Sequence, residues 1–506
     1  MSLFPRYPPP ISEDAGLHIA AQIQDWQINH GSMLKDIRSQ TAESVLCYPI
    51  GVSVFPTPFP RAQFDRALDL QSIYHELYCA LAEDEQWISS VIEDLIPVHP
   101  LADALWEVHL RVKSSGGYAN NTNKISLGIF RSDYMLHVED ERPTDGEALG
   151  LKQVEFNTFS CAGASHADKV VDMHHHLART GAYDCKDSSI STTCLPQNNN
   201  IENLASCLAE AHAAYGTHKS AIATQTAVLF VVQPRNFNIA DERPLEYALW
   251  KQDIPVPAYR VEFGGDVMKY TSLTKSRELL FHPPWREGQP PIEVSVVYFR
   301  AGYEAHEYDG TGKDARIQLE GSRAIKCPSL LAHILTFKKV QQCLTAPGAL
   351  ERVLSPEKAA AIRSTFVQIY PMDESPRGLH ARKLAMDPAT ARDYILKPSL
   401  EGGGNNVHGE DIPRFLAEIS PSSWSAFVLM ERIASPEVEN VLMSSKGIDL
   451  GGVISELGVI GGCLWRRGEI LSSSVVGWSF KTKFEDVEEM SVVKGYGCFD
   501  TPLLFS

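Results

Sequence analysis

The sequence predicts a mixed α/β (α+β) fold. Three observations carry that expectation. Apolar residues recur at three- and four-residue spacing over the first hundred residues, short apolar runs of strand length follow, and several of those runs end on a charged residue. Residues 13 to about 115 read mainly as helices, with the clearest periodicity over 64–82 and 87–95. Residues 127–138 and 149–160 read as strands around a polar turn, 139–146. A helix is expected over 169–179 and a polar surface loop over 185–203. The run 223–233 reads as a buried strand opening a βα-type segment to about residue 337, with a further strand at 293–299. Beyond it helices and strands alternate, with strands at 394–396, 426–429, 453–457 and 471–476. The doublets Gly451-Gly452 and Gly461-Gly462 read as turns.

Composition excludes several classes. A chain of 506 residues with 44% hydrophobic and 22% charged residues is an ordinary globular protein of two to four domains, at about 150 residues each. The net charge of −17 argues against a nucleic-acid partner, since phosphate backbones call for a basic face. No run of about 18 apolar residues is present, so no membrane span is expected, and the N-terminus lacks the apolar core of a secretory signal. The ten cysteines form no C-x-x-C pair, which disfavours structural zinc and fits reduced thiols in the cytoplasm. His174, His175 and His176 are adjacent, so on a helix they point about 100° apart and do not make a metal pair.

Residues 394–409 are the most informative segment. A short apolar run delivers Lys397, Pro398 ends the ladder, and Glu401 precedes Gly402, Gly403 and Gly404. Glycines let backbone N–H groups approach phosphate oxygens, a lysine adds a point charge, and a carboxylate holds magnesium. The segment suits a nucleoside triphosphate without being a P-loop, because no Gly-Lys-Ser/Thr follows. The alternative is a glycine hinge with surface charges. In residues 153–157 polar and apolar residues alternate, so Glu155 and Asn157 share one strand face, either as a hard-cation site or as an exposed edge. Met430 to Ile433 sit at a strand end and suit either an adenine ring or core packing. Arg131 and Arg300 lie beyond strands, as anion-binding forks or as surface ion pairs.

These pieces together resemble the eukaryotic glutathione synthetases, an ATP-grasp family of ligases. The segments LGIFRSDYM, KQVEFNTFSCAGAS, VVYFRAGYEAHEY, SRAIKCPSLLAHILTFKKVQQ, YILKPSLEGGGNN, FVLMERI, ISELGVIGG and KTKFE occur in the family's order between Leu127 and Pro502. The resemblance implies an ATP-grasp fold with a helical region (1–126), a first core part (127–222), an inserted βα substrate domain (223–337) and a nucleotide-binding part (338–506). It implies ATP and Mg2+ as cofactors, with Glu155, Asn157 and Glu401 as metal ligands. It assigns Lys338, Lys397, Gly402, Gly403, Gly404, Asn405, Asn406, His408, Met430, Glu431, Arg432, Ile433, Glu456, Lys483 and Glu489 to the nucleotide. Arg131, Ser160, Asn236, Asn238, Glu242, Arg300, Tyr303, Lys481, Val492 and Val493 fall on the substrate side, with Arg131, Arg300 and Lys397 closest to the chemistry. The implied partners are amino-acid or dipeptide substrates and a second copy in a homodimer.

The departures from the family concentrate on the peptide side. A family Ser-Ala-Ser is Ser160-Cys161-Ala162, a Glu is Asn236, a Gln is Glu242, an Arg is Lys481, and a Gly/Ala loop is replaced by residues 488–495. Lysine loses the bidentate fork, and Met490, Val492 and Val493 add bulk. Three readings stay open here: glutathione formation from γ-glutamylcysteine and glycine, a diverged amide ligase of a specialised pathway, and an inactive nucleotide-binding paralogue.

Overall fold

The computed structural model of the chain describes residues 7–37, 45–117, 124–138, 149–184, 190–399 and 405–505. The expected turn 139–146, the first residues of the polar loop, and Glu401 with Gly402, Gly403 and Gly404 lie outside the described residues.

The first part is helical, as its periodicity predicts: α1 (Glu13–His30), α2 (Arg61–Leu81), α3 (Glu85–Ile92) and α4 (Pro100–Ser114). Ser12 caps α1, its Oγ accepting from the Ala15 N–H, and Gly31 ends it at φ 64°. On α2, Phe64, Ala67, Leu70, Tyr74, Leu77, Tyr78 and Leu81 form one buried stripe. Short strands also occur here, and two of them reach across the chain. Val52–Ser53 adds to the main sheet, and Thr57–Pro60 runs parallel to Pro502–Phe505. Sequence periodicity misses elements this short because their stability is wholly tertiary.

A sheet of 13 strands among the described residues organises the molecule. Its core is β1 (Ile125–Val138), β2 (Leu149–Asn157), β3 (Thr226–Val232), β4 (Ala258–Glu262), β5 (Ile292–Phe299) and β6 (Ile325–Cys327). The first half of β1 pairs with β6 and the second half with β2, while β6, β5, β3 and β4 run parallel in that order. All but the first residue of β3 and every residue of β5 are buried, as parallel strands covered on both faces require. The chain leaves β3 outward to β4 and returns to β5 on the other side. Two crossovers therefore diverge beyond the C-terminal ends of β3 and β5, the crevice where such sheets bind ligands. Helices α5 (Ala164–Arg179), α6 (Asn200–Tyr215) and α7 (Ile239–Lys251) pack alongside. The expected loop thus ends at Asn199.

The C-terminal part holds two separate pieces. β7 (Tyr394–Pro398) and β8 (Phe427–Glu431) form a four-stranded sheet with Ile369–Pro371 and Val407–His408. β9 (Gly447–Arg466) and β10 (Glu469–Phe484) are long strands that pair with each other, and β9 then pairs with β1. β8 runs through Glu431, so Met430 lies inside a strand instead of just beyond one.

The two glycine doublets are not turns. Both lie inside β9. A Cβ on Gly462 would fall 2.3 Å from Cys207 Sγ, and one on Gly461 would fall 2.2 Å from His75 Nε2. Gly461 and Gly462 are glycines because α2 and α6 press onto the strand there. No helix among the described residues is long and apolar enough to cross a membrane. His174 bonds Thr501 Oγ1 (2.7 Å) and the Ser53 carbonyl (3.1 Å), and His175 bonds the Pro196 carbonyl, so both serve packing.

Gly462→Ala is expected to lower the thermal unfolding midpoint, because overpacking a close contact costs about 1–3 kcal/mol. An unchanged midpoint in a scanning calorimetry trace would show that the α6–β9 contact is loose.

Candidate active site

Strand alternation builds the site. On one face of β1 lie Phe130, Ser132 and Tyr134, packed with Phe156 against Tyr74 and Tyr78 of α2; the Tyr78 and Phe156 rings stack at 3.9 Å. The opposite face carries Arg131 and Asp133. In register beside them stand Asn157 and Glu155 on β2, and Gly458 on β9 faces Asp133. The same face continues through Glu456 and, on β10, Ser479, Lys481 and Lys483. Four neighbouring strands thus present one polar surface.

The four-stranded sheet covers that surface. Its outer side packs Leu396, Leu429, Ala381, Ala385, Ile412 and Leu416. Its inner side carries Ile395, Lys397, Val428 and Met430, paired across β7 and β8. Lys397 Nζ donates to the Val154 carbonyl at 3.3 Å, which closes the crevice against β2.

The electrostatics are those of a buried ion cluster. Lys338, at the start of Lys338–Leu344, places Nζ 2.7 Å from Glu155 Oε2. Burial alone would raise the Glu155 carboxyl, but Lys338 and Lys397 outweigh it and hold Glu155 well below the usual carboxylate range. Burial lowers Lys397 to about 8, with Glu155 opposing. Burial raises Asp133 to about 6, with Arg131 and then Lys481 opposing. Asn157 Nδ2 donates to Asp133 Oδ2 and to Glu155 Oε1, each at 2.9 Å. Its Oδ1 and the Glu155 carboxylate are therefore the hard oxygens turned to the crevice. Magnesium binds through one or two protein oxygens plus phosphates and water, so this pair fits it. Among the described residues no group of three or more His, Cys, Asp or Glu is placed to hold a metal ion.

A model of the eukaryotic glutathione synthase family, ATP-binding domain, matches residues 13–504. The chain belongs to that family. It is 31% identical over 489 residues to the glutathione synthetase large chain of Schizosaccharomyces pombe, covering 94% of each chain. It is 30% identical over 488 residues to glutathione synthetase of Homo sapiens, covering 96% of each. A glutathione synthetase-like effector of Globodera pallida, solved in its apo form, shares the fold with TM-score 0.73 at 19% identity, over 98% of this chain and 99% of that one. The likeness extends through the helical N-terminal part. These findings favour a family ligase over a diverged or inactive paralogue.

Of the residues expected on the substrate side, Ser160, Asn236, Asn238, Glu242, Arg300 and Tyr303 gather at the β3–β5 crevice. Arg300 is buried, and its Nη1 donates to the Cys161 carbonyl at 2.5 Å. Its Nη2 lies 3.3 Å from Asp241 Oδ2 and its Nε 3.5 Å from Glu242 Oε1. Asp241 also accepts from the Gly163 and Ser165 N–H groups at 2.9 and 3.0 Å, so it ties the loop after β2 to Arg300. Ser160 in that loop sits at φ 48°, an uncommon left-handed position for serine. Asn236 Nδ2 donates to Glu242 Oε2 at 2.5 Å, and the Asn236 Oδ1 accepts from the Asn238 N–H. Tyr303 is half-buried with its ring toward Phe159. A cavity of about 320 Å³ opens beside Asn236 at the ends of β3 and β4, between Arg260, Tyr270 and Trp285. Its lining does not include Glu155, Lys338 or Lys397, so it is distinct from the crevice they line.

The described residues expected on the nucleotide side lie around the second sheet and β9–β10, with the expected substrate residues Lys481, Val492 and Val493 near them. The Glu431 N–H goes to the Gln368 carbonyl and the Arg432 N–H to the Asp393 carbonyl, both at 2.9 Å, whereas the Ile433 N–H has no partner among the described residues. Glu489 accepts from the Asn406 N–H at 2.6 Å. His408 is half-buried on the strand beside Ile395. Lys481 Nζ meets Glu456 Oε1 at 2.5 Å, and Lys483 Nζ meets the Val487 carbonyl. Val492 and Val493 pack into an apolar cluster with Phe499 and Met443.

Sequence reading missed Asp133, Asp241 and Gly458. Asp133 was findable, since it stands two residues from Arg131 on a strand and so shares its face. Asp241 carried no signal, because its partners lie far along the chain.

The lowered Lys397 makes a signed prediction. A bound triphosphate restores its charge, so at pH 8, where the free lysine is half neutral, binding takes up about half a proton from this group. Calorimetry of an ATP analogue in buffers of different ionisation enthalpy measures it. Uptake is expected to shrink towards pH 7, and no uptake at pH 8 would separate Lys397 from the phosphates.

Proposed function

We propose that the protein joins γ-glutamylcysteine to glycine, forming glutathione with cleavage of ATP to ADP and phosphate. The observation that carries the reading is the meeting of Glu155 and Asn157 with Lys338 and Lys397 in one crevice, in a chain of this family. The donor carboxylate oxygen attacks the γ-phosphorus and ADP leaves. The glycine amine then attacks the acyl carbon, phosphate departs, and the amine proton goes to phosphate or solvent. Lys338 and Lys397 hold the transferring phosphate in line, and Arg131 faces the donor. Glu155, Asn157 and Glu401 would hold Mg2+, which neutralises phosphate charge when bound. Gly402, Gly403, Gly404, Asn405 and Asn406 are assigned to the triphosphate. Met430 to Ile433 would flank adenine, with the Ile433 N–H, which has no partner among the described residues, available to its edge. Glu456, Lys483, Glu489 and His408 complete the nucleotide side.

Two departures that point away from glutathione lose force in the fold. Asn236 and Glu242 touch each other, so one carboxylate and one amide are retained within a single contacting pair. Lys481 keeps its charge and spends it on Glu456. Arg300, held by Cys161, Asp241 and Glu242, is better suited to shaping the donor pocket than to gripping phosphate. A homodimer and cytoplasmic residence belong to this proposal and rest on the family alone.

The deciding experiment is glutathione formation, followed by mass spectrometry and ADP release, with purified protein, ATP, γ-glutamylcysteine and glycine. ADP release that requires some other donor or amine would overturn the reading. Glu155→Gln is expected to lower kcat on the order of a hundredfold, the scale of losing one preorganised group. Turnover near the unaltered rate would remove Glu155 from the chemistry.

A further inference from the structure

Asp133 is fully buried and both of its oxygens are occupied. Arg131 Nε donates to Oδ1 at 2.7 Å and to Oδ2 at 3.0 Å, and Arg131 Nη2 donates to Oδ2 at 2.8 Å. Asn157 Nδ2 is the further donor to Oδ2, at 2.9 Å. The Asn157 amide thus has two carboxylates, Asp133 and Glu155, on its NH2 side. Turned over, it would set its oxygen against both of them and aim its NH2 at the crevice. The chemistry of the neighbours therefore decides which atom of Asn157 looks outward. Gly458 is the second observation. It stands opposite Asp133 on β9, and a Cβ there would fall 2.5 Å from Asp133 Oδ1, 2.8 Å from Ser479 Oγ and 3.0 Å from Arg131 Cδ. The hole left by that glycine is filled by the Arg131–Asp133 pair.

We propose that Asp133 is a positioning residue with two tasks: it turns Asn157 Oδ1 towards the metal, and it holds the Arg131 guanidinium for the donor, with Gly458 as the space that admits it. The inference rests on the assignment of Asn157 to the cation. Asp133 touches neither metal nor substrate and acts through both neighbours. An amide at 133 keeps the shape but sets an NH2 against Arg131 or against Asn157 Nδ2, donor facing donor. Exchanging the two side chains, Asp133→Asn with Asn157→Asp, restores a donor–acceptor contact between positions 133 and 157 but removes the donor to Glu155 and leaves Arg131 facing an amide. The two tasks are thereby separable.

The test uses Mn2+ affinity, read by electron paramagnetic resonance on the full chain with a non-hydrolysable ATP analogue, together with KM for γ-glutamylcysteine. Asp133→Asn is expected to weaken Mn2+ about 10- to 100-fold, as loss of an orienting partner does, and to raise the donor KM. The exchanged double variant is expected to bind Mn2+ more tightly than Asp133→Asn alone while the donor KM stays raised. Unchanged Mn2+ affinity in Asp133→Asn, or single effects that simply add in the double variant, would overturn the proposal. If Asp133→Asn does not fold, Gly458→Ala decides. It keeps every polar group and displaces Asp133, so a loss of Mn2+ affinity supports the proposal and an unchanged affinity sinks it. Asn157→Ala separates the layers: if it leaves Mn2+ binding intact, the cation assignment itself fails. If it weakens binding while Asp133→Asn does not, the role of Asp133 alone fails.

Discussion

Two carboxylates stand directly opposite each other in a buried strand pair, and much of the site is arranged around that fact. Asp133 and Glu155 are register partners on β1 and β2. Like charges at such spacing repel by about 3 kcal/mol even at an effective dielectric of 20. The pairing survives because each carboxylate has its own cation and a shared amide. Arg131 neutralises Asp133, Lys338 neutralises Glu155, and Asn157 donates to both. A bulge follows at once between Asp133 and Tyr134, where the ladder shifts register. On the proposed reading a divalent cation and a polyphosphate would complete the cluster, in which carboxylates and lysines crowd together and the Asn157 oxygen has no partner among the described residues.

The same logic explains why substitutions on the peptide side need not alter chemistry. Charges in this protein are balanced by contacting groups, so a change is best judged with its neighbour. Glu242 sits between Arg300, Arg260 and Asn236, and its carboxylate has a partner on every side. Lys481 has Glu456. Read singly in the sequence, these positions looked like lost recognition groups. Read as pairs, they conserve charge. The bulk added by Val492 and Val493 is likewise taken up by an apolar cluster with Phe499.

What the sequence made legible was whatever depends on local period. The face shared by Glu155 and Asn157 and the α2 stripe follow from spacings of two and 3.6 residues, the buried β3 from its unbroken apolar run, and all three are present. The strand-end lysine Lys397 also lies in the crevice its position suggested. Legibility failed where a residue answers to a distant partner. Gly461 and Gly462 imitate a turn doublet, yet they are shaped by His75 and Cys207, which no local window contains. Asp241 is invisible until α7 brings it to Arg300. The short strands Val52–Ser53 and Thr57–Pro60 have no periodicity to read, because the C-terminal strands make them.

Those short strands connect the ends of the chain to the chemistry. Asp500 is buried between them, accepting from Ser53 Oγ at 2.5 Å, Thr57 Oγ1 at 2.5 Å and Thr482 Oγ1 at 2.6 Å. Thr482 lies between Lys481 and Lys483 on β10, with its side chain on the opposite face. One buried carboxylate therefore fixes the back of the strand whose front carries two site lysines, and it does so with donors from the N-terminal segment. Burial raises Asp500 to about 6, and three hydroxyls with the Thr501 N–H oppose it. The arrangement repeats the pattern of β1, where α2 packs the apolar face and leaves the polar face to function. In both strands the polar surface is positioned by what is bound behind it, so the helical N-terminal part belongs to the scaffold of the candidate site.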